Sequence, residues 1–574
     1  MSDETDTAPT PSGLLQLASS VNAIEAAPLL LEAANLLRDQ GDLAGSLDAL
    51  ARINETAITP TLRMEVAMLR ADIAMARSFP REALTLLQDS QLPAVETLSR
   101  EQRVRFHDLR ANAQVATGAI LTSALERIAL DPLLNPAAQR NNHDLIWQAL
   151  SSLPQGQLQA LSAAASSPEV QGWYDLALVA RSYNTDLDRQ LIELQRWRAA
   201  WAMHPAALVL PPQMELIETL ARERPQRVAL LLPLGTTAGT IVRDAFMSAY
   251  FNLQELGGQV PTVKMYDTTN VDDIRPLHLQ ARQEGAQLII GPLLKQHVAQ
   301  LQMEPELGVP TLALNNVEGL PPASSQLYQF ALSPEDEARQ LATKAWNDGH
   351  RRVAMLGPME ESSADVAVRK RDSFRAAWES LGGIVVAYDS YQDNYTDSIS
   401  DMLLLNESGA RVKQLSQLLG RNVVSQLRRR QDIDFIYLIA QPAPARQIIP
   451  SLAYLYAGDI PVYASQDLYS GSARQTDDRD LNGAVFGESP WLLGDSGDVS
   501  RARQLFPMNS ASNQRLQAFG IDAFRLYPRL RLLESGANAS IPGASGLLKL
   551  GPNRNIVREL SWATISDGLI RPTE

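Results

Sequence analysis

Few side chains in this sequence are of the kind that make or break covalent bonds, and their spacing limits what they could do. His107, His143, His204, His278, His297 and His350 are scattered over 574 residues. None pairs with another at the short separation that places two metal ligands on one helix face. Each is read as an isolated core or surface histidine. Cysteine is absent, which excludes a thiolate metal site, a cysteine nucleophile and a disulfide framework. The sequence contains no Gly-x-Ser-x-Gly elbow, no Gly-Lys-Ser/Thr phosphate loop, no Gly-x-Gly-x-x-Gly and no His-Glu-x-x-His. Ser545-Gly-Leu-Leu-Lys549 has one residue too many for a Ser-x-x-Lys dyad. Paired carboxylates such as Glu360-Glu361 are too common to signify. No catalytic residue, cofactor site or metal site is expected.

Binding chemistry is better represented. Pro233-Leu-Gly-Thr-Thr-Ala-Gly239 sets two glycines around two hydroxyls just before a helical stretch. Its N–H groups could hold a carboxylate, or its hydroxyls could simply cap the helix. Gly291-Pro292, Asn315-Asn316, Gly357-Pro358 and Gln441-Pro442 follow other apolar runs in the same way. Thr236, Thr237, Gly291, Pro292, Asn315, Asn316 and Gln441 are the candidate lining of a cleft between two lobes.

The elements that must position these loops are short apolar runs separated by helical stretches. Val228–Leu232 is wholly apolar, as a strand covered on both faces should be. Val263–Tyr266, Leu288–Ile290, Thr311–Leu314, Val353–Leu356, Ile384–Ala387, Phe435–Ile439 and Val462–Ala464 repeat the pattern. Ser333-Pro-Glu-Asp-Glu337 opens one intervening helix with a cap, a proline and three carboxylates, and Gly349 ends it. Repeated βα units imply doubly wound parallel sheets, and eight or more strands over some 350 residues fit two lobes. In such sheets ligands sit beyond the carboxyl ends of the strands.

From about Leu14 to Leu220 the pattern is helical instead. Leu62, Val66, Leu69 and Ile73 form one apolar stripe, opened by Thr59-Pro60. Ser99-Arg-Glu-Gln102 is a capping box and Gly118 a left-handed stop. Ala34–Gly41 realigns with Ala71–Ser78, and a looser copy starts at Ala111. Shifts of 37 and then 40 residues are slightly longer than a tetratricopeptide repeat. Stacked helix pairs of this kind present a concave surface for a protein or peptide, while an irregular bundle is the plainer alternative. Asp186, Asp188, Arg189, Arg196 and Arg198 read as a solvated face, and Trp173, Trp197 and Trp201 as packing. Arg428-Arg-Arg430 after Val423-Val424 reads as a charged helix end.

These readings give a multidomain chain: a segment 1–13 expected to be disordered, an all-α helical-repeat domain 14–222, and a bilobed α/β domain 223–574. The lobes are expected at about 226–322 with 505–535, and about 328–470 with 540–574. A net charge of −14 excludes a general nucleic-acid binder, which needs a basic face to displace counterions. No apolar run reaches bilayer length, and the acidic, turn-rich start Met1–Gly13 is not a signal peptide.

The order of segments resembles the LpoA family, outer-membrane lipoprotein activators of class A penicillin-binding proteins. In the first part the resemblance rests on Leu130-Asp-Pro-Leu-Leu134, Asn141-Asn142 and Ile146-Trp147. In the second it rests on Arg227–Gly235, Ile289-Ile-Gly-Pro-Leu293 and Phe486-Gly-Glu-Ser-Pro-Trp491. Phe519-Gly-Ile-Asp-Ala-Phe524, Gly546–Leu550 and Arg558-Glu-Leu-Ser-Trp562 complete it. The resemblance implies a tetratricopeptide-like domain followed by a type I periplasmic-binding-protein-like domain. It also implies a non-enzymatic periplasmic protein at the inner face of the outer membrane, whose partner is a class A penicillin-binding protein, with peptidoglycan as a further contact. Membrane attachment in that family is through a lipidated N-terminal cysteine that this sequence lacks, so a truncated soluble form is the expectation. A periplasmic small-molecule receptor using the inter-lobe cleft is the alternative, and an envelope hydrolase a third that lacks a nucleophile.

Overall fold

The computed structural model describes residues 10–573 apart from 152, 183–185, 318, 320, 360–363, 393, 420–427, 472–475, 495–509 and 536–538. Two compact units emerge. One comprises Met1–Leu150, Ala165–Trp173 and Met203–Pro211, the other Ser151–Ala164, Tyr174–Ala202 and Pro212–Glu574. The Met1–Gly13 expectation lies outside the described residues up to position 9. Beyond it the chain is already helical: Pro11–Ala18 starts on a Thr10 cap, with proline in the first turn supplying the fixed φ a helix needs.

The first unit contains three helix pairs, Ala23–Asp39 with Leu43–Ala51, Pro60–Ala76 with Pro80–Leu87, and Arg100–Ala116 with Ile120–Leu130. The small residues of the repeat are where the paired helices meet: Ala34, Ala71 and Ala111 are fully buried. Ser46 Oγ donates to the Ala34 carbonyl at 2.7 Å, and Ser123 Oγ donates to that of Ala111 at 2.9 Å. The same turn closes the first helix of every pair. Asp42, Phe79 and Ala119 donate their N–H to Leu37, Ala74 and Gln114 around a left-handed residue, Gly41, Ser78 or Gly118. That is the Schellman arrangement, which a residue at positive φ makes possible. The Ser99–Gln102 capping box forms as the spacing predicts.

The second unit contains two sheets. In the first, β1 (Arg227–Leu232), β2 (Thr262–Asp267), β3 (Leu288–Ile290), β4 (Thr311–Ala313) and β5 (Leu327–Phe330) run parallel in the order β2-β1-β3-β4-β5. In the second, β6 (Arg352–Pro358), β7 (Ile384–Tyr391), β8 (Phe435–Leu438), β9 (Val462–Ala464) and β10 (Val485–Glu488) repeat that order as β7-β6-β8-β9-β10. Both orders reverse beside the first strand of the lobe, the doubly wound topology. The remaining strands are shared. β11 (Ser540–Pro542), β12 (Leu547–Leu550) and β13 (Asn555–Glu559) extend the first sheet beyond β5, while β14 (Ser561–Ser566) and β15 (Leu569–Pro572) extend the second beyond β10. This corrects the assignment of 540–574 as one block to the second lobe. The chain changes sheets at Leu560, where Gln340 holds it by donating to the Arg558 carbonyl and accepting from the Leu560 N–H.

Helix Ala511–Leu526 is buried along nearly its whole length and packs on helix Thr237–Glu255. Gly520 permits the approach: a Cβ there would lie 2.6 Å from the Val242 carbonyl oxygen and 2.8 Å from Ala245 Cβ. Phe524 meets Phe246 edge-on, and Phe519 stacks on Phe330 of β5.

Segment Tyr174–Ala202 belongs to this second unit, although the sequence reading drew the boundary at 222. Its polar side chains are engaged there. Arg224 makes a two-pronged ion pair with Asp188, at 2.8 and 2.9 Å, and Arg529 donates to Gln190. Asp188 is therefore not part of a solvated face, and Asp186 caps the helix that carries it; Arg189, Arg196 and Arg198 are exposed as expected. Arg428–Arg430 lie in irregular backbone, with Arg429 paired to Asp459 and Arg430 to Asp432; Val423-Val424, on which the helix-end reading depends, falls outside the described residues.

Candidate functional site

The residues expected to line a cleft stand at the carboxyl ends of the strands, as the topology requires, and two of the seven, Thr236 and Asn315, use their side chains to hold these loops. Thr236 donates to the Pro233 carbonyl and accepts from the Gly239 N–H, capping the helix after β1. Thr237 is the first residue of that helix and is exposed. Gly291 and Pro292 are buried directly after β3. Gly291 has φ +105°, and a Cβ there would fall 2.1 Å from the Leu231 carbonyl oxygen, so the position accepts only glycine. Asn315 donates to the Leu293 carbonyl and accepts from the Asn316 N–H, tying the loops after β3 and β4 together. These six residues gather where β1, β3 and β4 end side by side. Gln441 stands apart, exposed after β8 in the other sheet, as the residue before a helix that its side chain does not cap.

The carboxyl ends of the second sheet hold the charged cluster that sequence reasoning missed. Helix Pro334–Asn347 brings Glu337, the helix after β6 brings Lys370, and Asp467 lies just past β9. The Lys370 ammonium sits 2.8 Å from Glu337 and 2.5 Å from Asp467, and Glu337 accepts the Gln466 N–H at 2.7 Å. Lys370 and Glu337 are almost wholly buried, at 2% and 3% exposure. Beside them Arg515 pairs with Glu488, the last residue of β10. Burial pushes the Glu337 carboxyl up. Burial works against the charged form of Lys370 as well, but the facing carboxylates outweigh it and hold the ammonium above its usual value. Lys370 in turn keeps Asp467 below the normal carboxylate range despite burial. The hydroxyl of Tyr437, in β8, is fully buried without a hydrogen-bond partner, and burial, then the charges of Glu337 and Asp467, drive its pKa well up.

In the sequence Glu335-Asp336-Glu337 reads as complementing the helix dipole, and nothing there joins Glu337 to Lys370 or Asp467; Glu488 lies within Phe486–Trp491. Other quoted motifs conceal buried charge too. Asp522 accepts from the Ala544 and Ser545 N–H groups and from the Ser545 hydroxyl, and Arg558 reaches the Ala331 and Ser545 carbonyls. In the first unit Asp131 accepts from Asn142 and lies 3.0 Å from His143 Nε2, whose other ring nitrogen meets the Val209 carbonyl. Trp173 packs between the rings of His143 and His204. His278 is bonded to Thr311, His297 to the Val271 carbonyl and His107 to Glu126. Among the described residues no cluster of histidine and carboxylate side chains is arranged to hold a metal ion, and no helix is long and apolar enough to cross a membrane.

A family model described as "LppC putative lipoprotein" matches residues 5–568. The chain belongs to the LppC family. Among its LppC relatives, the penicillin-binding protein activator LpoA of Photobacterium profundum is 28% identical over a 577-residue alignment covering 98% of this chain and 92% of the relative. That of Vibrio cholerae is 28% identical over 526 residues, covering 90% and 85%. The solved structure of full-length LpoA from Haemophilus influenzae shares the fold, with a TM-score of 0.51 at 22% identity over 99% of both chains. The LppC fold is thus a helical-repeat domain followed by an α/β domain built on two doubly wound sheets.

Proposed function

We propose that this LppC protein is a non-enzymatic activator of a class A penicillin-binding protein, raising the synthase's transpeptidase activity by direct contact during peptidoglycan synthesis. The observation that carries the reading is the family match across almost the whole chain, in which the relatives bear the name of penicillin-binding protein activators. The site chemistry agrees with it. Thr236 holds its own loop, Asn315 joins the loops after β3 and β4, and Lys370, Glu337 and Asp467 are committed to one another. An activator of this kind must bind the synthase's active conformation more tightly than its resting one, since equal affinity shifts no equilibrium. Its place of work on this reading is the periplasm, and membership of a lipoprotein family supports a native form at the inner face of the outer membrane, with peptidoglycan as a second contact.

The test combines the purified chain with the cognate synthase, measures binding by pull-down, and measures cross-linked muropeptides by chromatography. Binding with increased cross-linking is expected. Absence of both would remove the proposal, and cross-link cleavage by the chain alone would replace it with an enzymatic one.

A further inference from the structure

We propose that the carboxyl ends of the second sheet form a primary-ammonium site that the protein fills with its own Lys370. The cluster lies on the carboxyl-end side of the second sheet, past β9 and β10, the side on which doubly wound sheets bind their ligands. Its walls are those of an ammonium receptor. Two carboxylates, Glu337 and Asp467, face one cation, and Gln466 fixes Glu337 through its backbone N–H. Glu488, the next carboxylate, is already paired with Arg515, so it does not compete for the lysine. The Tyr437 hydroxyl, buried without a hydrogen-bond partner, feels the charge of both carboxylates. Lys370 enters from helix Ala364–Ser380 with its stem sealed from solvent, so the ammonium arrives as a ligand's would, at the end of an alkyl chain.

The consequence is that the second lobe is liganded at all times. A soluble amine or amino acid has no vacancy to bind there, and the lobe keeps one state whatever the solute composition around it. This inference does not depend on the chain being a synthase activator.

Truncating the lysine should expose the site. Lys370→Ala removes a propylammonium equivalent, and n-propylammonium chloride is the matching probe. Thermal melting of the full chain is compared for wild type, Lys370→Ala and Lys370→Met, with n-propylammonium and with tetramethylammonium, which lacks N–H donors, at equal ionic strength. Lys370→Ala should melt below wild type and rise by about 3 °C or more with saturating propylammonium alone. Wild type and Lys370→Met, whose stem still fills the channel, should not respond. Adding Glu337→Gln to Lys370→Ala should abolish the rise. An equal response in all three proteins, a response to tetramethylammonium as well, or none in Lys370→Ala would overturn the proposal. Should Lys370→Ala not fold in buffer, refolding yield replaces melting: a yield raised by propylammonium supports the site, and one not raised above the tetramethylammonium control overturns it.

Discussion

Arg515 grips Glu488 with two hydrogen bonds, at 2.6 and 3.2 Å, and then uses the same guanidinium to reach the Gln466 carbonyl. The pair joins helix Ala511–Leu526 to the end of β10, and both side chains are buried. Glu488→Ala leaves a buried guanidinium without its counter-charge and should cost about 3–5 kcal/mol. Replacing both partners by apolar residues of similar volume should cost much less, because no orphaned charge remains. Urea unfolding of the two variants provides the comparison.

Ser78 occupies, at φ +63°, the turn position that Gly41 and Gly118 fill in the neighbouring repeats. A side chain in the left-handed region is strained by about 1 kcal/mol or more. Ser78→Gly should therefore stabilise the helical unit by about 0.5–1 kcal/mol after the entropy of the unfolded glycine is set against that relief. Gly118→Ala should do the reverse, and denaturant midpoints would show both.

Burial, then the charge of Arg282, pushes His278 down to about 4. Unfolded histidine titrates near 6.5, so the folded protein keeps this ring neutral where the unfolded chain takes up a proton. The associated stability is complete above about pH 6.5 and is lost as pH falls toward 4, roughly 3 kcal/mol in all. His278→Gln should remove that share of the acid sensitivity. Stability measured at pH 7 and pH 4 should fall less in the variant than in wild type; an equal fall would place the sensitivity elsewhere.

Gly291→Ala asks whether that loop is a binding feature or a structural one. The added methyl meets the Leu231 carbonyl oxygen at a φ of +105°, so a loss of more than about 2 kcal/mol is expected. Thr237→Ala, on an exposed side chain a few residues past β1, should be within about 0.5 kcal/mol of wild type.

The parts of the fold that were legible follow simple patterns. β3 and β9 coincide with apolar runs read from the sequence, because central parallel strands are covered on both faces and need apolar residues throughout. The caps at Ser99 and Ser333 were equally plain. The last five strands were not. β13 buries Arg558 beside Ile556, and β12 is only half covered, so neither shows a continuous apolar run. The loops at Thr236, Gly291 and Asn315 fall at strand ends as read, because strand ends are easy to locate. The Lys370 cluster was not legible, since Glu337, Lys370 and Asp467 are far apart in sequence and each looks like an ordinary surface charge until the helices and the sheet bring them together.

The sharing of the final strands between two sheets has a consequence for biosynthesis. A ribosome that has made every residue up to 539 has delivered β1 to β10, yet has supplied neither sheet with the strands that extend its border, including β13, which pairs parallel to β5. The α/β unit therefore matures in one late step, when the closing hairpins arrive, and a prematurely terminated product would be left with unfinished borders in both halves at once.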